Sequence, residues 1–440
     1  MKLLVISAAL PPMPAGEADH TFHLCRRLSQ RGIDVQVLTT AVSNIPRGLP
    51  FTVHPVMKNW SWSDLPRFAG FLRRCRPDAV LLFYSDWIYH RHPMITFAPL
   101  VAKAIFPGIP FVTQLEIHKA SINATPATRA FMKGLSVCSR NRIDYVLGGL
   151  VAWSDRLVVL SEVHRNELMQ QHSVAAGKAS VIPPPPLIQM APLNGDSRNR
   201  GRAALKLSPD DFVLAYIGYI YSAKGVDILF KAYHELKKRH PRLRLLMIGG
   251  DLAACNTRSY TDTLPRLIEE LDIANEITWT GSYEWNTNEA SLYLQAADVC
   301  VFPFKDGVKL NRSTVAAAAA HGLPIVTTAS TTLEPPFLNG VNMLLCRPND
   351  VESITAAIES LIDSPDLRGR LSQGARQLAH DWFSWDKAVD RTIEALGIYR
   401  RTAEPAEEEV FTTECDMSLR SPPDNENRPH PKPSPDGRGN

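Results

Sequence analysis

The feature that most constrains the fold of this chain is an alternation of strand-like and helix-like segments, which runs through the chain twice. In the first half, short apolar runs lie at 3–7, 34–39, 78–85, 111–116 and 156–161. The alternation restarts at Phe212, with apolar runs at 212–218, 243–250, 277–281 and 299–304. Strands that alternate with helices build βαβ units and a mostly parallel sheet. We therefore predict an α/β protein with two similar halves.

A proline-rich break separates the two halves. Four consecutive prolines at 183–186 and a polar stretch at 194–201 follow the first half, and proline cannot continue a helix or a central strand. At 440 residues the chain fits two domains of ordinary size. The sequence predicts a first domain over 1–190, a linker over 191–205 and a second domain over 206–384. Residues 402–440 are acidic and then rich in Pro, Asn, Asp and Gly, which predicts a disordered tail.

The composition excludes several classes of protein. A net charge of +3 is too small to indicate a nucleic-acid partner. The seven cysteines form no CxxC pair and are expected to be buried, reduced thiols of a cytoplasmic protein. No run of about 18 apolar residues predicts a membrane span. The aromatic and basic segment 60–76 predicts either an amphipathic helix that faces the core, which we favour, or a peripheral contact at the inner face of the membrane.

The segment 299–328 carries the most chemistry. A buried strand ends at Phe304, a polar loop with Asp306 and Gly307 follows, and Ser313-Thr314 opens an alanine-rich helix. A Ser or Thr at a helix start caps backbone N–H groups. The same N–H groups, together with the helix dipole, form an anion site that suits a diphosphate.

This segment resembles the donor-binding region of the family 4 retaining glycosyltransferases, which have the GT-B fold of two facing Rossmann-like domains with a cleft between them. The resemblance rests on Phe302-Pro303, on the loop and on the run AAAAHGLPIVTT at 317–328. The family's Glu-x7-Glu pair is replaced by Lys309 and Ala317. The second of these glutamates normally contacts the donor ribose. The resemblance therefore implies donor contacts from other residues of the loop and helix start, namely Asp306, Asn311, Arg312, Ser313 and Thr314.

Three further segments resemble the same family. In 216–250 the resemblance places Gly218 and Tyr219 at the donor and makes Lys224 the cation that neutralises the leaving diphosphate, although a solvated lysine is the alternative. Gly16, in the opening strand–helix loop, would face the donor diphosphate. After the strand at 111–115, either Glu116 or His118 would lie near the transferred sugar, and a structural role is the alternative for both. The segment 385–401 resembles a C-terminal helix that packs back on the first domain.

The resemblance implies an enzyme that moves a sugar from a nucleotide-diphosphate sugar to a saccharide or lipid-linked acceptor, with retention of configuration and in polysaccharide or glycoconjugate synthesis. It implies no metal and no other cofactor. Three alternatives stay open, namely a nucleotide-sugar epimerase, a phosphorylase of the same fold, and a sugar-nucleotide-binding protein that has lost catalysis.

Overall fold

The computed structural model describes residues 1–41, 45–46, 48–117, 125–138, 146–172, 175–250, 260 and 262–397. Two features predicted from the sequence, His118 and the tail at 402–440, lie outside these residues. The described residues form two lobes, each built on one sheet. We call the part before α7 the N-lobe and the part from α7 to α13 the C-lobe.

The N-lobe contains a seven-stranded sheet in the order β3-β2-β1-β4-β5-β6-β7, and its paired strands are parallel. The strands are β1 (Lys2–Ile6), β2 (Asp34–Thr40), β3 (Thr52–Met57), β4 (Ala79–Tyr84), β5 (Phe111–Leu115), β6 (Arg156–Val159) and β7 (Ala179–Val181). The helices are α1 (Gly16–Gln30), α2 (Leu65–Cys75), α3 (Ala98–Ile105), α4 (Pro126–Cys138), α5 (Gly148–Trp153) and α6 (Glu162–Gln171). Every residue of β4 is buried, as the unbroken apolar run predicts for a strand covered on both faces.

The C-lobe contains a six-stranded sheet in the order β10-β9-β8-β11-β12-β13, again with parallel pairs. The strands are β8 (Phe212–Ile217), β9 (Leu243–Ile248), β10 (Ile277–Trp279), β11 (Val299–Phe302), β12 (Ile325–Thr328) and β13 (Leu344–Cys346). The helices are α7 (Gly195–Ala204), α8 (Val226–Lys237), α9 (Thr263–Glu270), α10 (Glu289–Ala296), α11 (Ser313–Ala320), α12 (Val351–Asp363) and α13 (Pro365–Trp382). The predicted α/β fold of two parallel-sheet domains is confirmed.

The strand order places a topological switch point in each sheet. In the N-lobe the order reverses between β1 and β4, and in the C-lobe it reverses between β8 and β11. Ligands of such open sheets bind beyond the carboxyl ends of the strands at this point. The segments that follow β1, β4, β8 and β11 are therefore the places to look for a site.

A last helix, α14 (Trp385–Ala395), packs against the N-lobe. The guanidinium of Arg31 on α1 binds the carboxylates of Asp386 at 3.1 Å and Asp390 at 2.7 Å. The indole Nε1 of Trp385 donates to the carbonyl oxygen of Pro186 at 3.0 Å. The chain thus returns to the first lobe after it completes the second.

The segment predicted as a linker contains a regular element, because residues 195–204 form α7. Asn194 caps this helix by accepting a hydrogen bond from the Ser197 amide at 2.8 Å. Arg198 and Arg202 tie the helix to the carboxylate of Asp298 at 2.7 and 3.0 Å. The helix is anchored by ion pairs, so the apolar periodicity that normally marks a helix is weak in this segment.

The aromatic residues of segment 60–76 belong to the core. Trp60, Phe68 and Phe71 are buried, which agrees with the amphipathic, core-facing interpretation of α2. Within the described part of the chain, no helix has the length and apolar character needed to cross a membrane.

The described cysteines are unpaired. Cys25, Cys300 and Cys346 are buried, as expected, whereas Cys138 is exposed. The expectation of a buried thiol is wrong at that position.

Candidate functional site

Two cations lie on one aromatic ring at the switch point of the C-lobe. Phe304 follows β11 and is fully buried. The Nζ atom of Lys224 lies 5.0 Å from the centre of its ring, and the Cζ atom of Arg312 lies 4.7 Å from it. A cation over a ring face is attracted by the ring quadrupole. The fold therefore brings together the two cations that the sequence assigned to the diphosphate.

Lys224 is held back from bulk solvent. It ends a short 3₁₀ turn between β8 and α8, and only 8% of the residue is exposed. The turn is clamped by Gly225, whose backbone is left-handed at φ +67° and whose Cβ, if present, would collide with the carbonyl oxygen of Pro303. A lysine in this position is not the solvated helix-start residue that the alternative interpretation required.

Asp306 organises the loop between β11 and α11. Its carboxylate accepts hydrogen bonds from Arg312 at 2.7 and 2.9 Å and from Lys309 at 2.9 Å. Burial opposes ionisation, but the charges of Arg312 and Lys309 outweigh it and hold the pKa of Asp306 below its ordinary value. Asp306 is thus an anion that shapes the loop, and two cations against one carboxylate leave this loop with a positive excess.

Three buried polar atoms of the same segment have no hydrogen-bond partner among the described residues. They are Oδ1 of Asn311, Nε of Arg312 and Oγ1 of Thr314. Buried polar atoms in folded proteins are nearly always paired, so a cluster of exceptions requires an explanation. A polar ligand bound at the start of α11 would supply the missing partners.

The start of α11 differs in detail from its prediction. The helix begins at Ser313, as expected, but Arg312 is the N-cap residue and no side chain caps the helix. The expectation that Ser313 or Thr314 provides the cap is therefore wrong. The backbone N–H groups of a first helical turn lack acceptors within the helix, and here no side-chain cap competes with a ligand for them.

Gly218 lies directly against this helix start. Its backbone is in the left-handed region at φ +123°, and a Cβ atom would come within 2.9 Å of the Thr314 Cγ2 atom. Only glycine adopts this conformation without strain. The next residue, Tyr219, is half-buried, and its carbonyl oxygen accepts a hydrogen bond from the Tyr216 hydroxyl at 3.0 Å.

In the N-lobe, Glu116 follows β5 and forms a buried pair with a histidine of α1. The Glu116 Oε1 atom lies 2.9 Å from Nδ1 of His20, and the two side chains are 7% and 5% exposed. The Gln114 amide also donates to the same oxygen at 2.6 Å. The structure thus places Glu116 at the carboxyl edge of the sheet with its carboxylate already engaged, while His118, the other candidate, lies outside the described residues.

Gly16 and two residues that sequence reasoning missed also lie at the N-lobe switch point. Gly16 is the first residue of α1, and a Cβ added there would meet no atom within 4 Å. Glu17 accepts a hydrogen bond at 2.8 Å from the indole Nε1 of Trp87, which follows β4 and is 39% exposed. Burial, reinforced by the negative charge of Glu116, raises the pKa of Glu17 above its ordinary value.

A cavity of about 680 Å³ lies between the lobes. Its volume is typical of a site for a small molecule. Its walls come from the segment after β1, from α1, from the proline-rich connection and from the loops after β8, β9 and β10, with lining residues 11–14, 19, 187–189, 218–219, 249–250 and 282–287.

The cavity contains Gly218 and Tyr219 but not Lys224, Asp306 or Arg312. Gly218 touches Thr314, so the cavity and the positive loop are neighbours. Tyr283, Trp285 and Asp19, which line the cavity, were missed by sequence reasoning. All three follow the carboxyl ends of strands, and that rule could have identified them.

Glu334 is a further residue that no sequence pattern indicated. It lies between β12 and β13 and is 2% exposed. Its Oε1 atom accepts hydrogen bonds from the amides of Glu162 at 2.7 Å and Val163 at 3.3 Å, and its Oε2 atom accepts from the Leu310 amide at 2.6 Å. One carboxylate therefore contacts both lobes.

The described residues contain no group of three His, Cys, Asp or Glu side chains arranged to hold a metal ion. At the loop, the carboxylates of Asp306 and Glu334 are engaged by protein donors, and the other polar groups are cations, amides and a hydroxyl. Such groups suit an anionic ligand.

Comparison with known protein families and sequences matches both lobes. The model for "Glycosyltransferase Family 4" matches residues 15–185, and the model for "Glycosyl transferases group 1" matches residues 197–378. A D-inositol 3-phosphate glycosyltransferase from Saccharomonospora viridis is 30% identical over 407 residues, which cover 86% of this chain and 88% of that protein.

Solved structures support the same fold. Sucrose-phosphate synthase from Thermosynechococcus elongatus superposes with a TM-score of 0.64 at 17% identity, over 90% of this chain and 98% of that one. HepE from Anabaena, solved in complex with UDP-glucose, superposes with a TM-score of 0.65 at 17% identity, over 90% of this chain and 99% of that one.

Proposed function

Since the chain belongs to the family 4 glycosyltransferases and is thereby a sugar-transferring enzyme, we propose that it moves a sugar from a nucleoside-diphosphate sugar to a saccharide or lipid-linked acceptor with retention of anomeric configuration. The observation that carries the donor class is the cluster after β8 and β11. There, Lys224 and Arg312 share the ring of Phe304, and three unpaired polar atoms lie at the start of α11. A diphosphate supplies both the negative charge and the acceptors for such a cluster.

The mechanism follows from where charge develops. Glycosyl transfer breaks the bond between the anomeric carbon and a phosphate oxygen and forms a bond to an acceptor hydroxyl oxygen, whose proton passes to the leaving diphosphate. The leaving diphosphate gains negative charge as its bond breaks, so cations fixed beside it stabilise the transition state. Lys224, backed by Arg312 and the amides that open α11, would supply this stabilisation. We propose that these protein groups take the part that a metal ion takes in other transferases.

The cavity between the lobes suits the nucleoside. Tyr219, Tyr283 and Trp285 offer ring surfaces, and Gly249 and Gly250 line the cavity at the end of β9. The bound nucleotide of the HepE complex is UDP-glucose. We propose a nucleoside of this kind in the cavity, with its base set by residues 282–287.

The acceptor is proposed to bind on the N-lobe beside Glu17 and Trp87. An exposed tryptophan gives a flat apolar surface with a polar edge, and here its N–H group is fixed by the Glu17 carboxylate. Glu116 lies near Glu17, since its charge contributes to the raised pKa of that carboxyl. The carboxylate of Glu17 and the indole of Trp87 suit the hydroxyl groups and the apolar face of a sugar.

A lipid-linked acceptor would bring the protein to a membrane. The exposed Arg73, Arg74 and Arg76 at the end of α2 are the charges available for this contact. Vesicle flotation with anionic lipid tests the idea, and no binding at low salt discards it.

The decisive test of the donor site is Lys224→Ala. With a saturating donor, kcat is expected to fall about 100-fold or more, since a preorganised charge at the leaving group is removed. Lys231→Ala, at an exposed lysine of α8, is the matched control and should retain full activity. Unchanged turnover of Lys224→Ala would show that this lysine does not act on the leaving group.

The donor and the stereochemistry require a second experiment. Thermal-shift measurements with UDP-, GDP-, ADP- and dTDP-sugars identify the nucleoside, and NMR of the product gives the anomeric configuration. An inverted product would overturn retention. A donor that is converted without acceptor would point to an epimerase.

A further inference from the structure

The carboxylate of Glu334 is the shared acceptor of three backbone amides that come from two lobes. Glu162 and Val163 of the N-lobe donate to one oxygen, and Leu310 of the C-lobe donates to the other. The carboxylate is almost wholly buried. A buried carboxylate is costly unless hydrogen bonds replace its hydration, and the three bonds offset part of that cost.

On the N-lobe side, Glu334 completes the start of α6. Glu162 and Val163 are the first two residues of this helix, and their N–H groups have no acceptor within it. The N-cap residue Ser161 accepts from later amides, through its side chain from His164 at 3.2 Å and through its carbonyl oxygen from Arg165 at 3.0 Å. A negative charge at a helix N-terminus is further stabilised by the helix dipole. A residue of the C-lobe therefore supplies the capping that the N-lobe helix lacks.

On the C-lobe side, Glu334 holds the loop between β11 and α11. Leu310 directly precedes Asn311 and Arg312, which carry unpaired polar atoms. Two residues earlier, the loop is also bonded to the end of β12, because the Val308 amide donates to the Thr328 carbonyl oxygen at 2.8 Å. The loop that forms the candidate diphosphate site and the start of α6 thus meet at one carboxylate.

We propose that Glu334 is a positioning residue that locks the loop 303–312 to the start of α6. By this lock, occupation of the loop by a nucleoside diphosphate and the alignment of the two lobes favour each other. The effect on ligand binding rests on the proposed donor site, whereas the lock itself does not. Coupling of this kind is reciprocal, so a change at either end is felt at the other.

Hydrogen exchange measured by mass spectrometry tests the lock without any ligand. Glu334→Gln keeps the size of the side chain but replaces one acceptor oxygen with an amide donor. A glutamine keeps one carbonyl oxygen, so exchange is expected to speed up about tenfold or more at the amides that lose their acceptor, on one side of Glu334 or on both. The control is Glu352→Gln, in the first turn of α12, where no change is expected. Unchanged protection at the amides of residues 162, 163 and 310 would overturn the lock.

Adding UDP, ADP and GDP in separate experiments tests the coupling. In the wild-type protein, the nucleotide that binds should slow exchange in the loop and also at residues 160–165. In Glu334→Gln it should slow exchange in the loop alone. Slower exchange at residues 160–165 when the nucleotide binds Glu334→Gln would contradict the coupling. Failure of all three nucleotides to bind would count against the proposed donor site, while the experiment without ligand still decides the lock.

A pair of variants at Glu162 separates positioning from general stability. Proline is tolerated at the first residue of a helix but has no N–H group, so Glu162→Pro deletes one bond to Glu334. Glu162→Ala keeps the N–H group and loses only the side-chain pair with Arg165 at 2.6 Å. The proline variant should lower kcat about tenfold, with a melting temperature close to that of the alanine variant. In the background of Glu334→Gln, the proline substitution should lower kcat little further. Equal activity of the two Glu162 variants would refute the role of this amide.

Discussion

Replacing Asp19 with asparagine is expected to stabilise the protein above neutral pH. Asp19 lies in the first turn of α1 and lines the cavity between the lobes. Burial, with a smaller contribution from the charge of Glu17, raises the pKa of Asp19 from 3.8 to about 7. At pH 8 the folded protein therefore contains an ionised carboxylate in a place that favours the neutral acid.

The size of the effect follows from proton linkage. Between pH 3.8 and about 7 the folded state holds a proton that the unfolded state has released. The free energy of unfolding then falls by about 1.4 kcal/mol for each pH unit. Across the whole interval this amounts to about 4 kcal/mol as an upper limit. Asp19 is only partly buried and borders a cavity, so water screens the charge and about 2 kcal/mol is the better expectation.

Urea unfolding at several values between about pH 4.5 and 8.5 measures the effect, with the difference between Asp19→Asn and the wild-type protein as the readout. The difference should grow with pH up to about 7 and then stay level, because the stability given by the protonated acid is lost as pH rises through the folded-state pKa. Asp196→Asn, at an exposed carboxylate of α7, is the control. A difference that does not change with pH would show that Asp19 is ionised throughout, and the reasoning from burial would be wrong.

Two further substitutions test the N-lobe side of the cleft. Gly16→Ala should leave the melting temperature unchanged, because a Cβ there meets no protein atom within 4 Å, but it should raise the donor KM about tenfold if the diphosphate approaches this backbone. An unchanged donor KM would remove Gly16 from the site. Trp87→Ala should raise the KM of the acceptor far more than that of the donor, and Trp87→Phe should retain most of the affinity because it keeps a flat ring. Equal effects on both substrates would argue against an acceptor surface at Trp87.

The sequence predicted the interior strands β4 and β8 and the edge strand β10, at the run 277–281, but it did not predict the other three edge strands. β4 and β8 are unbroken apolar runs because helices cover both faces of the sheet. The strands β3, β7 and β13 lie at sheet edges, where one side lacks a neighbouring strand. They are short or partly exposed, so their composition carries little signal.

The candidate site likewise contains one part that the sequence predicts and one part that it does not. Gly218, Lys224, Asp306 and Arg312 follow strands of one sheet, so the strand order alone predicts that they meet. The bond between Glu162 and Glu334 joins residues 172 positions apart and in different lobes. It depends on how the lobes approach each other, which no local pattern encodes.

The packing around Ala317 and Lys309 also explains why the glutamate pair is replaced. Ala317 is 2% exposed, and its carbonyl oxygen is bonded to Nδ1 of His321 at 2.7 Å. A glutamate at this position would place its carboxylate in the interior where the alanine side chains of α11 now pack. Burying an unpaired charge costs several kcal/mol or more. The first position of the pair, Lys309, forms an ion pair with Asp306.

The loop therefore differs from the family pattern in more than the loss of two glutamates. Two carboxylates hold the loop in shape. Asp306 accepts from Arg312, and Glu334, from outside the loop, accepts from the Leu310 amide. The buried acceptors without a protein partner are the neutral oxygens of Asn311 and Thr314. A ribose or phosphate bound here would thus meet neutral polar groups and cations, with no carboxylate at either replaced position. The negative charge that would oppose a diphosphate is therefore low at this loop, which favours the proposed binding of the donor by the two cations on Phe304.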